Sequence, residues 1–376
     1  MKIGYQTIRF VSNYLTVMRT GIKALLLTVA VVFFCTCRKD DPESNDIKIP
    51  DNNFLMALTE QGVDRNNNGS IEQEEADAVT TLNIPSKSIL DMTGIEAFTN
   101  LDTLYCYFNR LNSLDLTANE NLVYVDCSYN NLTGLYIFGN PDIRFLNCSH
   151  NSLAYLDVTT NVNLVFLDCC NNDLDFLDLE YNTALKYFYC TSNNFRELNV
   201  TANSELRDLV CGLNLLTSLD VSNCNAIEWL ACWNNELTEL DVTGLAELNL
   251  LQCDNNRLTS LDVSNNKELT NLKCFENELE ELDISANTSM TYLDCSSNRL
   301  NSLNLRNNSA LVHLSCDYNN LSELDISQNS CLQNISLRNM PSLGRICVWT
   351  MPFPPAEITV DIAGSQNGYF SGECGE

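Results

Sequence analysis

A cysteine recurs every 21 residues through most of this chain, and an asparagine follows each one three residues later. Leucine or another apolar residue stands two positions before the cysteine and five, eight and ten positions after it. A strict period of this length predicts stacked supersecondary units, because no single unit can bury its apolar side alone. The eleven cysteines are Cys106, Cys127, Cys148, Cys169, Cys190, Cys211, Cys232, Cys253, Cys274, Cys295 and Cys316.

The repeat reads L-x-x-L-x-C-x-x-N-x-L-x-x-L-D-V-S-x-N-x-x and resembles the leucine-rich repeat, with cysteine in a strand-leucine slot. Residues two apart in an extended segment point to one side, so the leucine and cysteine of L-x-C face inward. A period of 21 residues leaves no room for a helix of several turns. We therefore predict a leucine-rich-repeat solenoid, a right-handed coil stack with a concave parallel β-sheet, a helix-poor convex face and a small helical N-terminal cap. The asparagine should satisfy backbone groups of the following turn.

The cysteine column could be a disulfide stack or a metal site, but the predicted geometry favours the core. In-register parallel strands hold successive Cβ atoms about one strand spacing apart, ~4.8 Å, whereas a disulfide needs ~3.8 Å. Zinc needs thiolates that converge tetrahedrally. Because free cysteine packs as a small hydrophobe, we expect the ladder thiols to be core. Cys170, Cys224 and Cys331 stand outside the ladder and stay unassigned.

Residues 1–37 have the pattern of an export segment. Two basic residues precede an apolar run at 24–34, which is too short to span a bilayer but suits the apolar region of a signal peptide. Met18 stands just before the run and is an alternative start.

The end of this segment resembles a bacterial lipoprotein signal, since the apolar run closes on a cysteine before a polar tail. The resemblance implies lipidation of Cys37. Cys35 is a weaker candidate, and a secretory signal cleaved without lipid is the alternative. The tail after Cys37 also resembles the surface-export signal of Bacteroidetes lipoproteins. Residues 38–50 would then be a polar tether.

Residues 64–75 match the pattern of an EF-hand calcium loop, within a predicted helical cap at 51–78. Short helices are predicted at 54–61 and 73–81. The expected metal ligands are Asp64, Asn66, Asn68, Ser70 through its carbonyl, Glu72 and Glu75. We expect weak, structural Ca²⁺ binding, ~10⁻⁴–10⁻³ M as in extracellular modules. The alternative is an Asn/Gly-rich turn without metal.

The repeat array is predicted over 79–342 and a C-terminal cap over 343–376. Two stretches of the first coil, Gly94-Ile95-Glu96 and Thr99-Asn100-Leu101, resemble the repeats of internalin-like bacterial surface proteins. Together with the EF-hand-like cap, the cysteine-bearing repeats resemble leucine-rich-repeat lipoproteins of Bacteroidetes. This resemblance implies a surface-exposed lipoprotein of the outer membrane. Cys347 and Cys374 are the expected disulfide in such a compartment.

Aromatic residues gather on the predicted concave face, beside the inward leucine and cysteine. Solenoids usually bind partners there, and a contiguous exposed apolar patch often marks an interaction site. Cross-strand stacking would also account for some of these rings, so binding and strand packing both stay open. The candidate ligand-binding residues are Tyr105, Tyr107, Tyr124, Phe145, Phe166, Tyr187, Tyr189, Trp229 and Trp233.

Aspartate also recurs with the 21-residue period, on the return half of most coils. These side chains either accept backbone N–H bonds at their turns or bind bridging cations. We favour the first interpretation, because hydrogen bonding to the ionised form is enough to hold it. The column comprises Asp115, Asp157, Asp178, Asp220, Asp241, Asp262, Asp283 and Asp325.

Composition and charge exclude some classes of function. A net charge of −28 argues against nucleic-acid binding, which needs a basic footprint. The two histidines, His150 and His313, lie on distant coils, and neither a phosphate loop nor a zinc signature occurs, so we expect no enzyme. We expect a monomeric, non-catalytic surface binding or adhesion protein whose concave face recognises a protein. The alternative is a carbohydrate-binding surface lipoprotein, with a glycan-active enzyme less favoured.

Overall fold

Parallel strands of three residues each, one per coil, build the concave sheet of the computed structural model, which describes residues 46–373. This sheet has 14 strands. They are β1 Thr81–Asn83, β2 Thr103–Tyr105, β4 Tyr124–Asp126, β6 Phe145–Asn147, β7 Phe166–Asp168, β8 Tyr187–Tyr189, β9 Asp208–Val210, β10 Trp229–Ala231, β11 Leu250–Gln252, β12 Asn271–Lys273, β13 Tyr292–Asp294, β14 His313–Ser315, β16 Asn334–Ser336 and β18 Thr359–Asp361. The predicted leucine-rich-repeat solenoid is confirmed.

The return side carries few strands. A two-stranded sheet pairs β3, Ser113–Asp115, with β5, Gly134–Tyr136. A three-stranded sheet joins β15, Glu323–Asp325, to β17, Arg345–Cys347, and then to β19, Tyr369–Ser371. Parallel pairing thus continues into the predicted C-terminal cap, and β19 is a strand that the sequence analysis did not predict.

The register follows the sequence period, because residues 21 apart, such as Leu146 and Leu167, are paired. Every second side chain of a strand therefore points into one continuous core. All eleven ladder cysteines are fully buried there, as predicted. Burial raises the pKa of these thiols, most clearly where neighbouring coils also hold cysteines, as at Cys148.

The predicted asparagine column hydrogen-bonds successive coils together. Asn172 donates from Nδ2 to the carbonyl oxygens of Cys148 at 3.0 Å and Cys169 at 3.1 Å. Its Oδ1 accepts from the Leu153 amide at 2.9 Å. One side chain thus forms hydrogen bonds with two coils. The expectation that the asparagines satisfy backbone groups of the turns is confirmed.

A second asparagine column lies at the other end of the coil and is fully buried. Asn182, for example, donates to the carbonyl oxygens of Val158 and Asn161, both at 2.9 Å. Cys224 occupies this column in its own coil and its thiol lies 3.4 Å from the Val200 carbonyl oxygen. The unassigned Cys224 is therefore a core residue in an asparagine slot.

Two helices and a one-turn 3₁₀ segment at Ile95–Ala97 cover the N-terminal end of the stack. Helix α1 spans Asn52–Glu60, and Asp51 caps it by accepting from the amides of the first turn. Helix α2 spans only Gln73–Ala76, which is shorter than predicted. The other Asp51 oxygen accepts from the Leu90 and Asp91 amides of the first coil, so it joins the cap to the array.

Part of the predicted tether packs against this cap. The Ile47 amide donates to the Ile71 carbonyl oxygen at 2.7 Å, and Asp46 and Glu72 form an antiparallel bridge. Ile47 and Ile49 pack against the core. Residues 46–50 therefore belong to the folded unit, which the sequence analysis missed because five residues of mixed polarity carry no periodic signal.

Candidate functional site

Seven of the nine candidate aromatic residues form a connected row across the concave sheet, here called the concave row. They are Tyr105, Tyr124, Phe145, Phe166, Tyr187, Tyr189 and Trp229, all half-buried. The rings of Tyr124, Phe145 and Phe166 stack face to face, with centroids 4.0 and 4.3 Å apart. The period of 21 residues therefore becomes a ladder of rings at the strand spacing.

The two remaining candidates lie just past the strand ends. Tyr107 meets Phe108 edge-on, with centroids 5.9 Å apart. Trp233 lies over Gly212 of the preceding coil, where an added Cβ would come within 2.5 Å of the indole ring. Glycine at 212 thus makes room for the Trp233 ring.

Next to the concave row runs a second line of rings, here called the outer row, made of Phe108, Tyr129 and His150. Each has a positive φ of 52–54°, an uncommon backbone region for bulky residues. Their rings stack at centroid distances of 4.3 and 4.0 Å. Phe108 and Tyr129 are 53% and 43% exposed, so the left-handed turn presents them to solvent. His150 belongs to this surface, a role that its spacing alone did not indicate.

Polar groups flank the C-terminal end of the concave row. The Tyr189 hydroxyl donates to Asp208 Oδ2 at 2.7 Å. Burial raises the pKa of Asp208, and burial together with this bond raises the pKa of Tyr189 well above its usual value. Burial and the nearby Asp126 raise the pKa of Tyr124 to about 12. Tyr124 and Tyr189 therefore stay neutral at physiological pH and keep their hydroxyl protons.

The structure also shows exposed aromatic residues on the return side, which the sequence analysis did not single out. They are Tyr136, Phe138, Tyr155, Phe176 and Tyr181, 49–66% exposed. The Tyr136 ring folds back over Gly134, so that a Cβ there would lie 3.0 Å from its hydroxyl. Only Tyr155 and Phe176 share a position in the coil, so no sequence column revealed the whole set.

Each side chain of the aspartate column accepts hydrogen bonds from its own turn. Asp241 Oδ1, for example, accepts from the Thr243 amide at 2.9 Å and from its hydroxyl at 2.6 Å. These two bonds lower the pKa of Asp241, and the equivalent bonds to Ser264 lower the pKa of Asp262. The interpretation that each aspartate accepts hydrogen bonds from its turn is confirmed.

The loop at 64–75 is held by internal hydrogen bonds. The Asp64 carboxylate accepts from the amides of Asn68 and Gly69, at 3.2 and 3.0 Å. Glu75 accepts from the Arg65 amide at 2.7 Å, and its pKa is lowered by hydrogen bonds, that with Glu72 foremost. In residues 46–373, no group of three or more His, Cys, Asp or Glu side chains is arranged to hold a metal ion.

The predicted ligands of this loop do face one another. The Glu72 carboxylate accepts from the side-chain amides of Asn66 at 3.1 Å and Asn68 at 2.5 Å. Ser70 donates its amide to the Asn68 side chain. All these donor atoms are oxygens or exchangeable amide ends, the hard ligand set that Ca²⁺ takes. The residues present therefore fit calcium by chemistry.

Two predicted covalent sites involve residues outside the described part of the chain. Cys37 lies outside it, as does Cys374, the expected partner of the buried Cys347. Of the unassigned cysteines, Cys170 is half-buried and Cys331 is exposed. Among the helices within 46–373, none is long and apolar enough to cross a membrane.

The concave parallel sheet, the one-coil period and the helix-poor return side define a leucine-rich-repeat protein. No protein-family model matches the chain. The functional domain of Internalin J from Listeria monocytogenes, whose structure is described as including a cysteine ladder, is 34% identical over 74% of this chain and 71% of that domain, with a TM-score of 0.59. The chain belongs to the internalin-like family of leucine-rich-repeat proteins.

Two other solved structures share the fold. An internalin of Listeria monocytogenes, InlF, superposes with a TM-score of 0.71 over 87% of this chain and 96% of its own, at 18% identity. The Leptospira interrogans leucine-rich-repeat protein LIC12759 gives 0.64 over 72% and 74% at 24% identity. Against full-length Internalin J, the match covers 84 residues at 34% identity, 22% of this chain and only 9% of that protein.

Proposed function

We propose that this protein is a non-catalytic binding protein of the bacterial cell surface that recognises a protein partner through its concave face. Leucine-rich-repeat proteins as a class mediate protein–protein binding, and their concave sheet is the usual contact surface. The observation that carries the proposal is the pair of neighbouring ring ladders, the concave row and the outer row. Tyr and Trp are also the residues that interface hot spots favour.

The exposure of the outer row supports binding over strand packing. A ring whose only role is packing would stabilise the fold most when fully buried, yet Phe108 and Tyr129 remain about half exposed. The left-handed turn that carries them recurs once per coil, as at Asn234 and Glu276, so the fold sets this backbone and the particular feature here is the aromatic rings that it presents. The stacked arrangement offers a flat, pre-ordered surface that loses little side-chain entropy on binding.

The test is a binding screen of the chain on host-protein and glycan arrays, beside two variants of five substitutions. The first changes Tyr124, Phe145, Phe166, Tyr187 and Trp229 to Ser. The matched control changes the return-side aromatics Tyr136, Phe138, Tyr155, Phe176 and Tyr181 to Ser. Protein hits lost at least tenfold only in the first variant are expected. Glycan hits with that pattern would favour carbohydrate capture, and hits lost only in the control would move the site to the return side.

We further propose that Ca²⁺ binds the loop at 64–75 as a structural ion, held by oxygens of Asp64, Asn66, Asn68, Ser70, Glu72 and Glu75. The support is the arrangement of the predicted ligands, since the Glu72 carboxylate faces the side chains of Asn66 and Asn68 at 3.1 and 2.5 Å. With a Kd of ~10⁻⁴–10⁻³ M, about 5 mM Ca²⁺ would stabilise the fold by about 1–2 kcal/mol.

Thermal unfolding in Ca²⁺ and in EGTA tests this proposal. The calcium-dependent rise in Tm should disappear in Glu75→Gln and persist in Glu74→Gln, which removes the same charge at an exposed position. A rise that survives in Glu75→Gln would place the ion elsewhere, with the aspartate column as the first candidate.

Surface attachment through a lipid on Cys37 belongs to the same proposal. Its support is the sequence before and after this cysteine. Mass spectrometry of the N-terminal peptide from membranes should find a diacylglyceryl adduct on Cys37. A Cys37→Ser variant should be released from the membrane, and a free, unmodified N-terminus downstream of Cys37 in the native protein would contradict the anchor.

A further inference from the structure

Three neighbouring coils place an aromatic ring over the same outward position of the return side, and these rings are here called the return-side ring column. They belong to Tyr155, Phe176 and Tyr136, whose ring lies over Gly134. Gly134 pairs in register with Ser113 of the preceding coil, and Tyr155 and Phe176 follow it at the 21-residue period. The column therefore spans two strand spacings, roughly 10 Å.

The fold does not require a ring at this position. In the other coils of the cysteine ladder the equivalent residue is serine or glutamate: Ser113, Glu197, Ser218, Glu239, Ser260, Glu281, Ser302 and Glu323. Tyr155 and Phe176 are 66% and 63% exposed, so most of each side chain contacts solvent and not the core. Phe138 and Tyr181, which are also exposed, extend the apolar area at the following turns. A contiguous exposed apolar patch often marks an interaction site.

The chain around Tyr155 and Phe176 is strongly acidic. Between Arg144 and Lys186 there is no lysine or arginine. The return side of the same stretch carries the carboxylates of Asp157, Asp175, Asp178 and Glu180. Asp157 and Asp178 stand two positions after the two rings, on the same outward face. No ion pair within residues 46–373 involves any of these four side chains, so their charge is not neutralised by the fold.

Phe176 also forms one wall of a groove of about 420 Å³ on this side of the solenoid. The polar residues that line this groove are Asp178, Glu180, Asn199 and Thr201. A similar groove near the N-terminal end, of about 320 Å³, has Ser113 where this one has Phe176. Grooves therefore recur between coils, and the particular feature of this one is an aromatic ring beside two carboxylates. Its volume is in the range of ligand clefts and has room for a long side chain.

Charge complementarity favours a basic occupant. Arginine and lysine side chains pack on aromatic faces and also pair with carboxylates. The net charge of −28 draws a basic segment towards this surface, whereas a second copy of the chain would bring the same charge and be repelled. A divalent metal would need several converging ligands, and within 46–373 no group of three or more His, Cys, Asp or Glu side chains is so arranged.

We propose that the return-side ring column and the adjacent groove bind a basic segment of a partner protein. Its arginine or lysine side chains lie over the rings of Tyr155 and Phe176, and a cationic group enters the groove beside Asp178 and Glu180. This inference goes beyond the proposed function, because it assigns the protein a second interaction surface in which the concave row takes no part.

The probe is a fluorescent hexa-arginine peptide, and its binding to the full chain is measured by anisotropy for the native protein and two variants of unchanged charge. The first variant combines Tyr155→Ser with Phe176→Ser. The matched control combines Tyr318→Ser with Tyr369→Ser, which removes two rings of similar exposure, 56% and 57%, on other coils. We expect the first variant to weaken binding at least tenfold and the control less than twofold. Equal effects in the two variants would reduce the binding to general charge attraction and overturn the proposal.

Further variants separate the contributions of the ring and of the charge. Phe176→Tyr keeps the ring and should bind the peptide as the native protein does. Glu180→Gln should weaken binding at least threefold, and Glu247→Gln, the same charge change at an exposed position of another coil, less than twofold. A hexa-citrulline peptide, which lacks the charge, should bind at least tenfold more weakly than hexa-arginine. Equal affinity for the two peptides would overturn the proposal.

Two other outcomes would refute this inference. If the neutral oligosaccharide cellohexaose bound the native protein but not the Tyr155→Ser, Phe176→Ser variant, while hexa-arginine bound both alike, the column would be a sugar platform. If the concave-row variant of five substitutions lost the peptide, the basic segment would bind the concave face, and the proposed function would still stand. We expect the concave-row variant to bind the peptide with unchanged affinity.

Discussion

Asn172 offers a direct test of how much the asparagine column contributes to stability. It is 7% exposed and makes four hydrogen bonds: three from Nδ2 to the carbonyl oxygens of Cys148, Cys169 and Cys170, at 3.0, 3.1 and 3.3 Å, and one from the Leu153 amide to Oδ1 at 2.9 Å. Substitution with alanine removes all four.

The lost bonds are not equivalent. The Cys148 and Cys169 carbonyl oxygens each keep a donor from the neighbouring members of the column, Asn151 and Asn193. The Leu153 amide donates to Asn172 Oδ1, so Asn172→Ala leaves this amide buried and unpaired. One unpaired buried amide costs roughly 1–3 kcal/mol, and the weakened carbonyl bonds and the small void add to it. We expect a total loss of about 2–4 kcal/mol.

Urea unfolding of the full chain, followed by far-UV circular dichroism, measures this loss. The matched control is Asn194→Ala, an exposed asparagine with one bond to a carbonyl oxygen at 3.2 Å, which should change stability by less than about 0.5 kcal/mol. Because a long repeat array can unfold in parts, hydrogen exchange at the Leu153 amide gives the local readout and should accelerate strongly. If Asn172→Ala matched the control in both measurements, the hydrogen bonds of Asn172 would not be what stabilises the coils.

Three further predictions concern buried groups. A thiol reagent at pH 8 should label Cys331 first and Cys170 slowly, since burial raises the Cys170 pKa to about 12. The eleven ladder thiols should react only after denaturant is added. Fast labelling of ladder thiols in the folded protein would contradict the packed core. Gly212→Ala should displace the Trp233 ring, change tryptophan fluorescence and cost about 1–3 kcal/mol, with no change in fluorescence being the contrary result. The Asp254 pKa is raised, so its contribution to stability is present below pH 4 and is lost as pH rises through about 6. Asp254→Asn should therefore stabilise the protein by roughly 1–2 kcal/mol at pH 7.5 and hardly at pH 4, and a pH-independent difference would refute this reasoning.

The repeated elements could be predicted from the sequence because their signals are local and occur eleven times over. Alternation in L-x-C places Leu146 and Cys148 inward whatever the rest of the chain does. The hydrogen bonding of the aspartate column could also be predicted, since each side chain accepts from an amide two positions later. Where a signal occurs only once, the predicted bounds were less accurate. Helix α2 ends at Ala76, five residues before the predicted end.

The candidate site was predicted only in part. The concave row follows from two sequence columns, and the structure joins seven of the nine candidates in one connected set of ring contacts. His150 joined the outer row because a left-handed turn turns its ring onto Tyr129, which sequence spacing does not express. The return-side aromatics were not predicted because they are spread over several positions of the repeat and only Tyr155 and Phe176 share one.

What the sequence determined by itself is the period, the inward face of each strand and the asparagines that hold one coil to the next, because each depends on contacts repeated identically along the chain. The tertiary structure decided which exceptions to the pattern matter. Asp254 and Asp317 occupy one column and look alike in sequence, yet only Asp317 has an arginine 21 residues on that reaches its carboxylate. The pairing of Ile47 with Ile71 was decided in the same way. Burial and pairing are properties of neighbouring coils, so the identity of a residue alone does not settle them.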